Sequence, residues 1–244
     1  MKLSGTRNKR GFTLVETVIA MGIITIMITA FLAAFGPAVQ GIRKSMSAKE
    51  ANRLASTLEA ELAVLRPDEA KPTGDYATAF EKAFTWIEES GGNSKDDMVL
   101  IYQYRGDIDN VRTDGTLEPY TTPNPDDLPG EDYVVQSVVR RLGDPEVQEE
   151  LQAKVVEGRV LYVRMTQLIF NADGELIVSD QPGKIREPRT PNAAKDYATY
   201  PEAVIAFQAQ FYVMKSSLYP YIANGFDISK PGKPVFTRNM AVRR

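Results

Sequence analysis

Apolar positions divide the chain sharply. Residues 1–11 are polar and basic, and from Phe12 to Phe35 apolar residues dominate, with Glu16 as the one charge. No charged residue occurs from Thr17 to Ile42. About 20 apolar residues suffice to cross a bilayer as a helix, so this run predicts a membrane-spanning helix. Gly36-Pro37 follows it, and proline kinks or breaks a helix by removing an amide donor. Beyond Pro37 the pattern changes. Ala51, Leu54, Leu58, Leu62 and Leu65 recur at spacings of three and four, while Lys49, Arg53 and Glu61 fall on other faces. This is an amphipathic helix packed along something, with Pro67 as its stop. An unbroken helix from Phe12 to Arg66 would be about 80 Å long at 1.5 Å per residue.

After residue 66 the pattern is that of a mixed globular head. Residues 78–89 predict a short helix with Phe80, Phe84 and Ile87 on one side, closed by Gly91-Gly92. Residues 98–104 read as a strand. From Arg105 to Asp132, Asp, Pro, Gly and Asn accumulate, which predicts a long surface loop. Residues 133–142 fit either strand or helix. The alternation over 159–170, followed by Asn171-Ala-Asp-Gly174 and then 175–179, predicts a hairpin. A polar loop covers 180–201 and a last clear strand covers 203–214. In the tail from Tyr219 to Arg244, Val235 to Arg238 pair briefly. There is no internal repeat.

Composition narrows the chemistry. The 244 residues contain no Cys and no His. Ser-His-Asp and Cys-His nucleophiles, thiolate redox centres and Cys/His zinc sites are thereby excluded, and carboxylate-only chemistry stays open. The chain carries −3 in all and residues 1–11 carry +4, which leaves −7 for the rest. An acidic head argues against nucleic acid as a partner. Basic residues flank the apolar run on both sides, Arg43, Lys44, Lys49 and Arg53 on the far one, so the positive-inside bias is close to a tie. An ordinary secretory signal would have a shorter apolar core and a small-residue cleavage site beyond it, which Ala33, Ala34 and Gly36 mimic. A glutamate near the start of the core argues against that alternative.

The junction Arg10-Gly11-Phe12-Thr13-Leu14-Val15-Glu16 resembles the leader site of type IV pilins, type II secretion pseudopilins and related minor pilins. The resemblance covers the first fifth to quarter of the chain. It implies cleavage between Gly11 and Phe12 on the cytoplasmic side by a prepilin peptidase, N-methylation of Phe12, and an assembly role for Glu16. It also implies an α+β, pilin-like fold, in which a long N-terminal transmembrane/amphipathic helix packs on an antiparallel β-sheet. The implied divisions are a basic leader (1–11), a transmembrane/assembly helix (12–36), an amphipathic continuation (37–66) and a periplasmic head (67–244). The implied partners are other pilins or pseudopilins, the peptidase/methyltransferase, the inner membrane, and an assembly platform with a separate ATPase, since the chain has no P-loop pattern. No cofactor and no metal are implied. The residue types suit these roles: small Gly11 admits close backbone approach, and a carboxylate in an apolar slab costs several kcal/mol unless paired. A neighbouring protomer's freed Phe12 amine would pair it.

Departures from the family pattern point to a minor pilin or pseudopilin. Ala33 stands where many major pilins have proline, no cysteine pair exists, and the head is long. Weaker signals favour bland readings. Asp107, Asp109, Asn110 and Asp114-Gly115 do not match the spacing of a calcium loop. Asp126-Asp127 and Glu131-Asp132 read as a polar loop, Trp86 with Phe80 and Phe84 as core. Arg238, Arg243 and Arg244 are too scattered for nucleic acid. The rival class is a membrane-anchored periplasmic enzyme or binding protein using head carboxylates.

Overall fold

The computed structural model describes residues 13–66, 70–71, 74–91, 94–152, 155–190 and 195–244. The chain divides into two compact units, residues 1–46 and 47–244.

In the first unit the described residues form the N-terminal part of helix α1 (Leu14–Ala63). Every described residue up to Met46 is exposed, as expected of an apolar helix whose surroundings are lipid or other helices. Pro37 lies inside α1. The helix continues through it, because one missing amide leaves the remaining backbone ladder intact on either side.

In the second unit α1 turns amphipathic, burying Ser47, Ala51, Leu54, Ala55, Leu58, Glu61 and Leu62. Two expectations are corrected here. Leu65 lies beyond the helix end and is exposed, whereas Glu61 is buried, held by cations described below. Pro67 lies outside the described residues. A two-residue pair, β1 (Ala70–Lys71) with β2 (Gly74–Asp75), leads to α2 (Ala79–Glu89). Thr78 caps α2: its hydroxyl accepts from the Glu81 amide at 3.1 Å, and the Glu81 carboxylate accepts from the Ala77 amide at 2.9 Å. α2 stops at Ser90. Gly91 follows because a Cβ there would sit 2.8 Å from the Gly183 Cα; Gly92 lies outside the described residues.

A seven-stranded antiparallel sheet forms the body. Its strands are β3 (Val99–Val111), β4 (Leu117–Pro119), β5 (Tyr133–Arg141), β6 (Val156–Phe170), β7 (Leu176–Val178), β8 (Val204–Val213) and β9 (Phe236–Arg243). β3 pairs with β5 on one side and β6 on the other; β8 follows β6, and β9 follows β8. β4 pairs with the far end of β3, and β7 with the far end of β6. The β6–β7 turn is as expected, with Gly174 at φ 81° and Asn171 Oδ1 accepting from the amides of Asp173 and Glu175.

Alternation along the strands builds two cores. Leu161, Val163 and Met165 of β6 face a cluster with α1 and α2, while Val160 and Tyr162 face a second with Val147 and Leu151. The last two residues belong to α3 (Pro145–Gln152), which the sequence reading did not find. Asp144-Pro145-Glu146 was a usable start signal, proline being tolerated at the first helical position. Two further expectations are corrected. The loop expected from Arg105 is strand as far as Val111, since β5 pairs with it through Asp107↔Tyr133. The tail pairs over all eight residues of β9, not four.

Candidate functional site

Gly11 and Phe12 lie outside the described residues. Glu16 stands in the first turn of α1. Its carboxylate accepts the Thr13 amide at 3.0 Å and the Thr13 hydroxyl at 2.9 Å, and the Glu16 amide donates back to the Thr13 hydroxyl at 3.3 Å. This is a capping box: two side chains three residues apart satisfy backbone donors that a helix start leaves without partners. A negative group also suits the positive end of the helix dipole. Thr13-x-x-Glu16 was visible in the sequence as a capping pattern and was read there only for its charge.

Polar groups farther along are likewise turned inward on the helix. The hydroxyls of Thr25 and Thr29 each donate to the carbonyl four residues back, at 2.8 Å. In an apolar setting this leaves no hydroxyl donor without a partner. Phe31 and Phe35 stack at 4.3 Å between ring centroids. α1 passes the length and composition test for one membrane span, and with the leader motif reported below this supports membrane anchoring.

The head holds its charges in pairs. Lys82, fully buried, donates to Glu61 at 2.8 Å and to the Val64 carbonyl at 2.9 Å, and lies 4.9 Å from the Trp86 ring centroid. Arg66 meets the same carboxylate at 2.7 Å. Burial would raise the pKa of Glu61; the Arg66 hydrogen bonds and the Lys82 charge outweigh it and hold it below the ordinary carboxylate range. A second hub is Glu150, fully buried, which accepts from the Tyr102 hydroxyl, from Arg112 at 2.5 Å and from Arg140 at 3.2 Å. Arg140 also holds Asp114 at 2.7 Å. Burial opposes ionisation of Asp114, yet hydrogen bonds from Thr116 and Arg140 bring its pKa down to about 2. A third group surrounds Arg141, with Glu89 at 3.2 Å, Asp144 at 3.8 Å and Asp97 at 4.0 Å. Here burial wins: Asp144 is pushed up to about 6, and Glu89 and Asp97 are raised in the same direction.

The weaker sequence candidates find ordinary places. Asp107 accepts from the Asp109 amide and the Asn110 side chain, while Asp114 is engaged by Arg140 and Thr116. Among the described residues no group of three or more carboxylates is placed to hold a metal ion. Asp127 and Asp132 close turns in their loop by accepting from the amides of Asn124 and Leu128. Trp86, Phe80 and Phe84 lie in the core. Arg238 pairs with Glu59 at 3.1 Å, and Arg244 donates to the carbonyls of Tyr197 and Tyr200.

Residues 6–32 match the family model described as the prokaryotic N-terminal methylation motif. No curated protein and no solved structure matches the chain. The matched segment runs from the basic leader into the apolar half of α1 and includes the Thr13–Glu16 cap. That motif is the hallmark of the type IV pilin and pseudopilin prepilins, a structural rather than catalytic class, and it joins here to an apolar N-terminal helix and an α+β head. Over residues 6–32 the chain therefore carries the N-terminal motif of type IV pilin and pseudopilin prepilins.

Proposed function

We propose that this chain is a minor pilin or pseudopilin, a structural subunit cleaved between Gly11 and Phe12, methylated on Phe12 and assembled through α1. The observation that carries the reading is the coincidence of the methylation motif at residues 6–32 with a helix exposed on all sides from Leu14 to Met46. A helix of that kind has no use for its apolar surface within its own chain. It is stored in lipid and then covered by other subunits' helices. The leader stays on the cytoplasmic face and the head, residues 67–244, lies in the periplasm. A prepilin peptidase removes residues 1–11, and a separate ATPase platform extracts the mature subunit from the inner membrane. Glu16 sets register: it exchanges its contacts with Thr13 for the freed amine of a neighbouring protomer. The paired head carboxylates Glu61, Glu150 and Asp114 fit a scaffold better than a carboxylate-based enzyme.

Intact-mass analysis of the membrane fraction tests the reading. The expected result is loss of residues 1–11 and gain of one methyl group, both dependent on a prepilin peptidase. Cleavage near Ala34 instead would overturn it in favour of an ordinary signal peptide.

A further inference from the structure

Several elements of the head meet around one enclosed cavity. The end of α1, α2, the β3–β4 turn and the passage from β5 into α3 surround about 330 Å³, within the size range of small-molecule sites. A second cavity, beside Asp96 and Asp97, shares Arg141 and Asp144 with it but is more open. Tyr76, Trp86, Val139 and Pro145 give the enclosed one its apolar surface.

Two of the residues lining it carry a donor left over by the fold. Trp86 and Arg140 are only 4% and 7% exposed. Among the described residues, no acceptor stands in hydrogen-bonding geometry to Trp86 Nε1 or Arg140 Nε. Arg140 commits its other nitrogens to Asp114, Thr116 and Glu150. Burial raises the Tyr76 pKa to about 12; the Arg141 charge and the nearby Trp86 N–H oppose it, the indole without forming a well-aligned hydrogen bond. A buried donor without an acceptor costs stability, and it is matched when an oxygen-bearing molecule fills the space beside it.

Charge decides the class of molecule. Glu61, Asp114, Asp144 and Glu146 line the cavity, as do Arg66, Arg140 and Arg141. Lys82 is ion-paired with Glu61, so four carboxylates stand against four cations. An added anion or cation would meet like charges out of water, which is costly. The carboxylates are unequally engaged. Glu61 accepts from Lys82 and Arg66, Asp114 from Arg140 and Thr116, and Asp144 from the Arg141 amide at 2.6 Å. Glu146 is half-buried and, among the described residues, in no ion pair. The cavity therefore offers leftover donors and a leftover acceptor among apolar walls, at balanced charge. A hydroxyl group suits both, since it donates and accepts.

We propose that this cavity binds a neutral saccharide unit. Its hydroxyl oxygens accept from Trp86 Nε1 and Arg140 Nε, a hydroxyl donates to Glu146, and its C–H faces rest on Tyr76, Val139 and Pro145. An enclosed space suits a compact ring rather than a passing peptide strand. The site lies wholly within residues 47–244 and is independent of the assembly role of α1.

Trp86 is the only tryptophan in the chain, so its emission reads the cavity directly. The full-length chain, in a detergent without a sugar headgroup, is titrated separately with glucose, N-acetylglucosamine and maltose. Sodium acetate and an acetylated, amidated triglycine stand for an anion and a peptide. The expected result is a saturable change in Trp86 emission with at least one saccharide and none with acetate or the peptide. Glu146→Ala should raise the midpoint at least tenfold with Tm unchanged. Trp86→Phe keeps a buried ring and deletes the N–H; saturation-transfer NMR should show several-fold weaker transfer to the same saccharide. No saturable response to any of the three saccharides would overturn the proposal and leave a hydrated cavity only. A response to acetate alone or to the peptide alone would overturn it in favour of an anion or a peptide site. Unchanged saccharide binding in either variant would overturn the placement in this cavity.

Discussion

Lys82→Met isolates the buried ion pair of the head. The substitution keeps side-chain length and removes the charge 2.8 Å from Glu61. Both groups are out of solvent, Lys82 at 0% and Glu61 at 5% exposure, so this is not a surface pair of marginal value. Breaking a buried pair from one side costs about 3–5 kcal/mol, because the remaining charge stays desolvated. Glu61 keeps Arg66, which is 31% exposed, and this places the cost near the lower end, about 3 kcal/mol. The lost Lys82–Trp86 contact adds to it. For a head of this size about 3 kcal/mol lowers Tm by roughly 6–12 °C. The double variant Lys82→Met/Glu61→Leu should recover most of the loss, since replacing both members by apolar groups of similar size is often neutral or stabilising. The assay is thermal unfolding followed by near-UV circular dichroism on residues 47–244. A Tm change below about 2 °C for Lys82→Met, or a double variant less stable than the single one, would refute the argument. Acid should narrow the difference: Glu61 is held below its ordinary pKa, so its contribution is complete above that value and is lost as pH falls through the lowered one.

Residues 47–244 produced alone should be soluble and unfold cooperatively, since they form a compact unit; a non-cooperative transition would contradict it. Glu16→Ala should leave membrane insertion and leader cleavage intact and lower incorporation into filaments, with Glu16→Asp intermediate; crosslinking to partner pilins measures this, and normal incorporation would remove the register role. Thr13→Val should reproduce part of that defect, because it deletes the hydroxyl of the capping box, a change of about 1 kcal/mol at the helix start. Asp144, pushed up to about 6 by burial, binds a proton more tightly folded than unfolded. Its contribution to stability is therefore fully present below about pH 4 and is lost as pH rises through 6, the opposite sense to Asp114 at about 2. Asp144→Asn should flatten the pH 4–6 limb of head stability in denaturant titrations.

The elements legible in the sequence were those with a single strong period. The apolar run of α1, the amphipathic spacing from Ala51 to Leu62, and the alternation of β6 and β8 each reflect one buried face repeated over many residues. What escaped has a physical reason in each case. The outer half of β3 is polar because it projects beyond the core, and it stays a strand through backbone pairing with β4 and β5. β9 alternates exposed and buried residues, but the short pairing expected at 235–238 was not extended through Asn239 to Arg243, where a polar residue and a terminal arginine bracket only two buried apolar ones. Glu61 read as solvent-facing because a carboxylate usually is; its cations come from residues 5 and 21 positions away, and the more distant, Lys82, is set by tertiary packing. The carboxylate of Glu16 was identified by its cost in lipid, whereas the partner that defrays it in a single chain, Thr13, was a local pattern passed over.

The position of β9 bears on the order in which the protein is made. The last strand of the chain supplies Met240 and Val242 to the main core and pairs with β8 along its whole length. Arg244 is tied in as well, its amide donating to the Ala203 carbonyl at 2.8 Å. Synthesis delivers α1 before β9, so under the anchoring proposed above the apolar segment enters the bilayer while the sheet still lacks its closing strand. A chain anchored in that way is tethered before its head can complete folding. In that interval the exposed edge of β8 has no covering strand, and the tether keeps many such incomplete heads at one surface. Disrupting β9 acts on this step, because it prolongs the interval in which an open edge can recruit the wrong chain.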